Sequence, residues 1–226
     1  RCVKAGIDLI LMPQGEIKTI DAIENAVNNG TISVDRIENS VRKILNAKYW
    51  LKLNENKFVD VNSVTAVVNS QNAQEVSQKI ANESITLVKN SNDLLPVKDA
   101  SEKSCLIISL NNGNETANSE YFYNTFNAKN KFKSTSYYDL SGEISNSDEV
   151  LSDAINYDVV IIPIYAKVKI NTGTVGIPQT QVDLINSLVS NGNKVIAVSF
   201  GNPYLIQGFS DVNSYICAYA DAGTSI

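Results

Sequence analysis

The chain has 226 residues, of which 43% are hydrophobic, and this length accommodates one large domain or two small ones around a buried core. Nineteen Lys and Arg residues against 24 Asp and Glu residues give a net charge of −5, which excludes a strongly basic surface for nucleic acid or anionic lipid. Histidine is absent, which excludes Ser-His-Asp chemistry, Cys-His chemistry and histidine-ligated metals within these residues. Neutral or polar small molecules fit this composition better as partners, and no cofactor is predicted.

The cysteines and the apolar runs exclude further classes of protein. Cys2, Cys105 and Cys217 are odd in number and lack metal-ligand spacing, and the last two lie in apolar runs typical of buried free thiols. No run reaches the roughly 18 apolar residues of a membrane span. The first residues are not a signal peptide, and because Arg1 falls within an element, we expect further chain upstream.

The first elements predict a strand followed by two helices. Residues 7–12 are apolar and end at Pro13, a pattern that predicts a buried parallel strand. Apolar residues recur at helical spacing over residues 17–28, and Gly30 stands where a left-handed helix cap is needed. Ser33 is the expected N-cap of the next helix.

The middle of the chain predicts a domain boundary. Periodicity weakens over residues 54–72, where Asn, Val, Ser and Lys dominate, and this favours an extended linker. Helical spacing then returns at Val76, Ile80, Ser84, Ile85 and Val88. We therefore predict a first domain at residues 1–53, a linker at 54–72 and a second domain at 73–226.

The second domain alternates strands and helices. Five extended segments are predicted as strands, at residues 105–110, 134–139, 158–165, 194–200 and 214–219. Helices are predicted between them, at residues 119–126, 148–155 and 180–190. Because right-handed crossovers place helices on both faces of a parallel sheet, the α/β fold predicted here is a doubly wound, mainly parallel, five-stranded αβα sandwich.

Four segments resemble family 3 glycoside hydrolases. Residues 5–13 (AGIDLILMP) are similar to the family's eighth barrel strand, and residues 30–45 to its final barrel helix. Residues 81–90 followed by 94–97 resemble the entry to its second domain, and residues 199–204 its Gly-Asn-Pro-Tyr turn. The resemblance implies that the first domain is the C-terminal end of an incomplete (β/α)8 catalytic barrel and that the second is the family's αβα domain.

The resemblance also implies a retaining hydrolase of β-linked sugars. The family's aspartate nucleophile follows the seventh barrel strand, so it lies outside this chain. In the β-glucosidase-like branch the acid/base is a glutamate in the second domain, in a loop that here reads AKVKINTGT (166–174), and neither Asp nor Glu lies between Asp158 and Asp183. In the β-N-acetylhexosaminidase-like branch an Asp-His pair on a barrel loop does this work, so the sequence favours the second branch and N-acetylglucosaminides as substrates. A β-glucosidase-like hydrolase and a non-catalytic scaffolding or binding domain remain as alternatives.

Met12 is the one predicted substrate-binding residue, and no catalytic or metal-binding residue is predicted. A thioether at the end of the eighth strand could pack on a sugar face or fill the top layer of the barrel. Asp8 is interpreted as structural, accepting bonds from buried backbone or helix donors. Lys167 and Lys169 belong to a loop over the cleft or are simply solvated, and a flavodoxin-like carrier is disfavoured because residues 111–116 make a poor phosphate loop.

The expected partners are the carbohydrate substrate and the missing N-terminal part of the barrel. One barrel strand with its helices cannot close a barrel, so its apolar faces need the missing strands, a neighbouring chain or the sandwich. We therefore predict that these 226 residues alone are inactive and poorly soluble. By resemblance only, a bacterial source and a periplasmic or secreted location are favoured, and the compartment otherwise stays open.

Overall fold

The chain divides into two compact units. The structure is a computed structural model that describes residues 1–113, 117–129, 131–145, 147–166, 175–223 and 225. The first unit is Arg1–Asn69 and the second is Ser70–Ile226. Their division falls inside the stretch 54–72 that the sequence predicts as a linker.

The first unit is helical. Its helices are α1 at Glu16–Asn28, α2 at Val34–Trp50, a 3₁₀ turn at Val61–Ser63 and α3 at Val64–Val68. Gly30 follows α1 with a φ of 74°, and Ser33 caps α2 by accepting a 3.2 Å hydrogen bond from the amide of Arg36. Both long helices and both of these terminal signals are therefore confirmed.

Two predictions for this unit are corrected. Residues 7–12 form no strand in this chain, and Leu9 and Leu11 are 70% and 83% exposed. The physical reason is that a strand needs a neighbour to bond its backbone, and the part of the first unit that the structure describes contains no strand. The stretch 54–72 is also not simply extended, because the 3₁₀ turn, α3 and the start of the next helix lie within it.

The second unit is built on one sheet. Its strands are β1 (Thr86–Asn90), β2 (Ser104–Asn111), β3 (Ser134–Ser141), β4 (Val159–Tyr165), β5 (Val195–Ser199) and β6 (Ser214–Cys217). They lie in the order β1-β6-β5-β4-β2-β3, and every neighbouring pair is parallel except β1 with β6. The helices are α4 (Gln71–Ser84), α5 (Ala117–Lys129), α6 (Ser147–Ala154) and α7 (Gln179–Ser190).

The doubly wound α/β fold is confirmed, and the strand number is corrected from five to six. The five predicted strands are the five parallel ones. The additional strand is β1, at residues that the sequence assigned to a continuing helix because Ile85 and Val88 keep the helical spacing of Val76 and Ile80. The helix instead ends at Ser84, and the strand is held by antiparallel pairing with β6.

A hydrophobic core lies on each face of this sheet. Leu106, Ile108 and Leu110 of β2 pack with the buried faces of α6 and α7. Cys105 and Ile107 point to the opposite face, where Phe122 of α5 joins them. This alternation is the two-residue period of a strand that is covered on both sides. The prediction of buried free thiols holds for Cys105 and Cys217, whereas Cys2 is exposed.

Candidate functional site

Met12, the predicted substrate contact, lies on the surface of the first unit. Its side chain is 87% exposed, and its backbone has a φ of 48°, which is uncommon for a residue other than glycine. The thioether is accessible to a ligand in this chain. Whether it meets a sugar or fills the top layer of a barrel stays a prediction.

Asp8, four residues earlier, is the centre of an ion-pair cluster on α2. Its Oδ1 accepts from Nη1 of Arg36 and from Oγ of Ser40, each at 2.8 Å. Its Oδ2 accepts from Nζ of Lys43, also at 2.8 Å. Arg36, Ser40 and Lys43 are spaced by four and three residues, so they share one face of the helix. A single carboxylate therefore binds side chains from three successive turns of α2.

Arg36 also binds the backbone that leads to Asp8. Its Nε donates to the carbonyl of Val3 at 3.1 Å, and its Nη2 donates to the carbonyl of Ile7 at 3.2 Å. Nη1 contacts Ser40 as well. One planar guanidinium thus joins residues 3, 7 and 8 to α2, which uses the fixed fork of donors that distinguishes Arg from Lys.

The cluster holds Asp8 in its charged form. Hydrogen bonds from Lys43, Ser40 and Arg36 lower the pKa of Asp8 from 3.8 to about 2. An acid with so low a pKa is a poor proton donor near neutral pH. The donors that bind Asp8 are side chains of α2 rather than backbone groups, and its structural role stays a prediction.

The first unit exposes a large apolar surface. The exposed apolar side chains of α1, α2 and the following segment include Ile20, Val41, Leu45, Tyr49, Trp50 and Phe58. Two open grooves run along this surface, one of about 640 Å³ beside Leu45 and Tyr49 and one of about 550 Å³ beside Val27 and Val41. Large exposed apolar patches are typical of interaction faces.

In the second unit, the carboxyl ends of β2, β4 and β5 form the other candidate region. The chain crosses from one side of β2 to the other between β3 and β4, and such a switch point is where open α/β sheets bind ligands. Tyr165, at the end of β4, stacks on Phe200 after β5, with ring centroids 4.9 Å apart and planes 9° from parallel.

Two asparagines hold the backbone beside this switch point. Nδ2 of Asn112 donates to the carbonyl of Gly176 at 3.1 Å, and Nδ2 of Asn202 donates to the carbonyl of Val175 at 3.2 Å. Oδ1 of Asn202 accepts from the amide of Tyr204 and caps the 3₁₀ turn Pro203–Gly208. Both asparagines lie in segments quoted from the sequence, but neither bond was predicted from it. Lys167 and Lys169 lie outside the described residues.

Asp139 is the titratable group at the end of β3. Burial raises its pKa, and the nearby side chains of Ser119, Tyr137 and Asn111 only partly offset that effect. The amide of Asn111 donates to its Oδ1 at 3.3 Å. Among the residues that the structure describes, no group of three His, Cys, Asp or Glu side chains could hold a metal ion. No helix in that part of the chain is long and apolar enough to cross a bilayer.

Part of the first unit matches a known family model. Residues 1–47 match the family model described as glycosyl hydrolase family 3 N terminal domain. Curated relatives include a probable beta-glucosidase C from Aspergillus flavus, 37% identical over 78 residues, which are 34% of this chain and 12% of that protein. A lysosomal beta glucosidase from Dictyostelium discoideum is 32% identical over 108 residues, which are 47% of this chain and 13% of that protein. The chain thus aligns with only a small part of each relative.

Comparison with solved structures covers both units. A beta-glucoside phosphorylase, BglX, matches 99% of this chain and 40% of its own, with a TM-score of 0.80 and 22% identity. A family 3 beta-N-acetylglucosaminidase from Paenibacillus sp. matches 99% of this chain and 42% of its own, with a TM-score of 0.75 and 20% identity. A beta-glucosidase from Listeria innocua matches 99% of this chain and 33% of its own, with a TM-score of 0.70 and 16% identity. These neighbours, each below 25% identity, show the fold.

Proposed function

We propose that the chain is a piece of a family 3 glycoside hydrolase, a retaining enzyme that acts on β-linked sugars. The observation that carries this proposal is the match of residues 1–47 to the family's N-terminal domain. In this reading the first unit ends the catalytic barrel and the second is its companion αβα domain. The activity belongs to the longer parent protein.

The exposed apolar surface of the first unit supports the proposal that other barrel strands cover it in the parent protein. A (β/α)8 barrel closes only when eight strands pair, and its helices bury their apolar faces against those strands. Residues 7–12 have the apolar composition of such a strand, yet Leu9, Leu11 and Met12 are exposed here. The seven other strands of the parent would supply the backbone partners and cover these side chains.

The chemistry of a retaining glycosidase requires two carboxyl groups about 5 to 5.5 Å apart, one acting as nucleophile and the other as acid and then base. We assign neither to this chain. The carboxylate of Asp8 already accepts hydrogen bonds from Arg36, Ser40 and Lys43, and its low pKa makes it a poor proton donor. Met12 is the residue that we propose to touch the sugar, by packing its thioether on an apolar sugar face.

We propose N-acetylglucosaminides as the substrate class. The reason is the sequence between Asp158 and Asp183, which contains neither Asp nor Glu and so offers no proton donor at the position that the β-glucosidase-like branch uses. An enzyme of the other branch needs none there, because its acid/base lies on the barrel.

β-Glucosides are the second candidate. The curated relatives that align at 32% to 37% identity are named as β-glucosidases. A non-catalytic scaffolding role is the remaining alternative, and it requires a parent barrel that lacks the catalytic carboxylates.

The test is a direct comparison of substrates with the full-length protein. Purified parent protein is assayed on an aryl β-N-acetylglucosaminide and an aryl β-glucoside, with the α-anomers as controls. A higher kcat/KM for the first β-substrate supports the proposal, and a higher value for the second supports β-glucosides instead. Absence of turnover on both, by protein shown to be folded, would overturn the glycosidase assignment and favour the scaffold.

A further inference from the structure

We infer that Asp8 and Arg36 are positioning residues for the sugar contact at Met12. This inference rests on the proposed function, because it requires Met12 to touch the substrate. Neither side chain is assigned a direct contact with the sugar. Their role is to fix the path of the backbone that carries Met12.

Several bonds to the segment before α1 end on one guanidinium. Arg36 binds the carboxylate of Asp8 at 2.8 Å, the carbonyl of Ile7 at 3.2 Å and the carbonyl of Val3 at 3.1 Å. Its planar fork fixes the directions of these bonds relative to each other. Residues 3, 7 and 8 therefore cannot shift or rotate against α2 without breaking several bonds at once.

Asp8 is held from both of its oxygens. Ser40 and Arg36 bind Oδ1, and Lys43 binds Oδ2. The side chains of Asp8 and Arg36 are 24% and 23% exposed, so water competes less for this pair than for a fully exposed one. The carboxylate is thus a fixed point on the face of α2.

The distance along the chain from that point to the proposed sugar contact is short. Met12 follows Asp8 by four residues, which span at most about 14 Å when fully extended. We infer that a displacement at Asp8 changes the position of the thioether over this short stretch. In enzymes, a misplacement of about 1 Å in a positioning group can cost about 100-fold in rate.

The test uses full-length protein and three substitutions on one background. Asp8→Asn weakens the charged pair while keeping the side-chain shape, and Arg36→Lys keeps the charge but removes the fork that reaches Val3 and Ile7. Asp35→Asn is the matched control, because it makes the same chemical change at an exposed position of the same helix. We expect Asp8→Asn and Arg36→Lys to raise KM about tenfold with a smaller change in kcat, and Asp35→Asn to stay within about twofold.

A double-mutant cycle separates positioning from general damage. If Asp8 acts through Met12, then Asp8→Asn in a Met12→Ala background changes KM by less than about twofold, because the contact that it positions is already gone. Asp8→Glu, which retains the charge, is expected to recover part of the lost affinity. Thermal unfolding of each variant identifies any that fails to fold, and Arg36→Lys then replaces Asp8→Asn in the cycle.

The outcomes distinguish this inference from the proposed function. Wild-type turnover with KM unaltered by Asp8→Asn overturns the inference alone. An equal effect of Asp8→Asn with and without Met12 also overturns it, because the damage then does not pass through Met12. A folded wild-type protein without glycosidase activity overturns the proposed function and the inference with it.

Discussion

A Cβ placed on Gly201 would lie 3.2 Å from the carbonyl oxygen of Ala166. Ala166 follows β4 and Gly201 follows β5, which are neighbouring parallel strands. The backbone segments that leave these two strands therefore lie very close to each other. Gly201 also has a φ of 138°, a conformation that other residues rarely adopt. The turn after β5 thus depends on a residue without a side chain.

Replacing Gly201 with alanine is expected to destabilise the protein by about 1–3 kcal/mol, through backbone strain and the contact with Ala166. Urea unfolding of the wild type and the variant measures this difference. Gly113→Ala is the control, because its Cβ would meet no atom within 4 Å. Equal stability of Gly201→Ala and wild type would show that the turn accommodates a side chain.

Asn202 makes two hydrogen bonds, and one substitution can remove one of them while keeping the other. Aspartate at this position keeps an acceptor for the amide of Tyr204 but loses the donor to the carbonyl of Val175. We expect Asn202→Asp to cost about 0.5–1.5 kcal/mol and to speed hydrogen exchange at Val175 and Gly176. Asn186→Asp removes a similar 3.1 Å bond, to Gly208, and should leave exchange at those two amides unchanged. Equal exchange in both variants would contradict the role of Asn202.

The ion-pair cluster predicts how the free energy of unfolding decreases at acid pH. The pKa of Asp8 falls from 3.8 to about 2 on folding, so its contribution is fully present above about pH 4 and is lost as the pH falls towards 2. Subtracting the unfolding free energies of Asp8→Asn from those of the wild type, measured across this range, isolates the contribution. The difference should be constant near neutral pH and shrink below pH 4. A difference that does not change with pH would show that Asp8 has the same pKa in both states.

Leu11 tests whether missing strands cover the first unit. The side chain is 83% exposed in this chain, so Leu11→Ala here should change stability by less than about 0.5 kcal/mol. In the full-length protein, where we propose that this segment is a barrel strand with packed side chains on its inner face and helices on its outer face, the same change is expected to cost about 2–5 kcal/mol. Leu9→Ala tests a second residue on the same face of the predicted strand. Ile162→Ala, at a fully buried position in β4, is the positive control. Small effects of both surface leucines in the full-length protein would contradict the proposed covering.

Local signals predicted most of the regular structure. Gly30 and Ser33 mark the end of α1 and the start of α2 because their bonds are made within a few residues. Strands β2, β4, β5 and β6 are visible as largely apolar runs that are buried in the sheet, whereas the edge strand β3 is more polar and only partly buried. β1 was missed because its half-exposed residues continue a helical spacing, and only pairing with a strand more than 120 residues later holds them extended.

The candidate sites were less predictable for the same reason. Arg36 lies 28 residues from Asp8, and Asn202 lies 27 residues from Val175. No local sequence pattern predicts a hydrogen bond between residues so far apart in the chain. The strand expected at residues 7–12 failed because its bonding partners are not among the residues of this unit. Met12 was predicted by resemblance alone, and its contact with a sugar stays a prediction.

Trapping the covalent intermediate tests the central claim most directly. A retaining glycosidase forms a glycosyl-enzyme ester, and a fluorinated aryl β-glycoside of the preferred sugar slows its hydrolysis so that the labelled peptide can be identified by mass spectrometry. The account predicts one label on the full-length protein, on an aspartate outside residues 1–226. A label on any carboxylate within these residues, Asp8 above all, would contradict it.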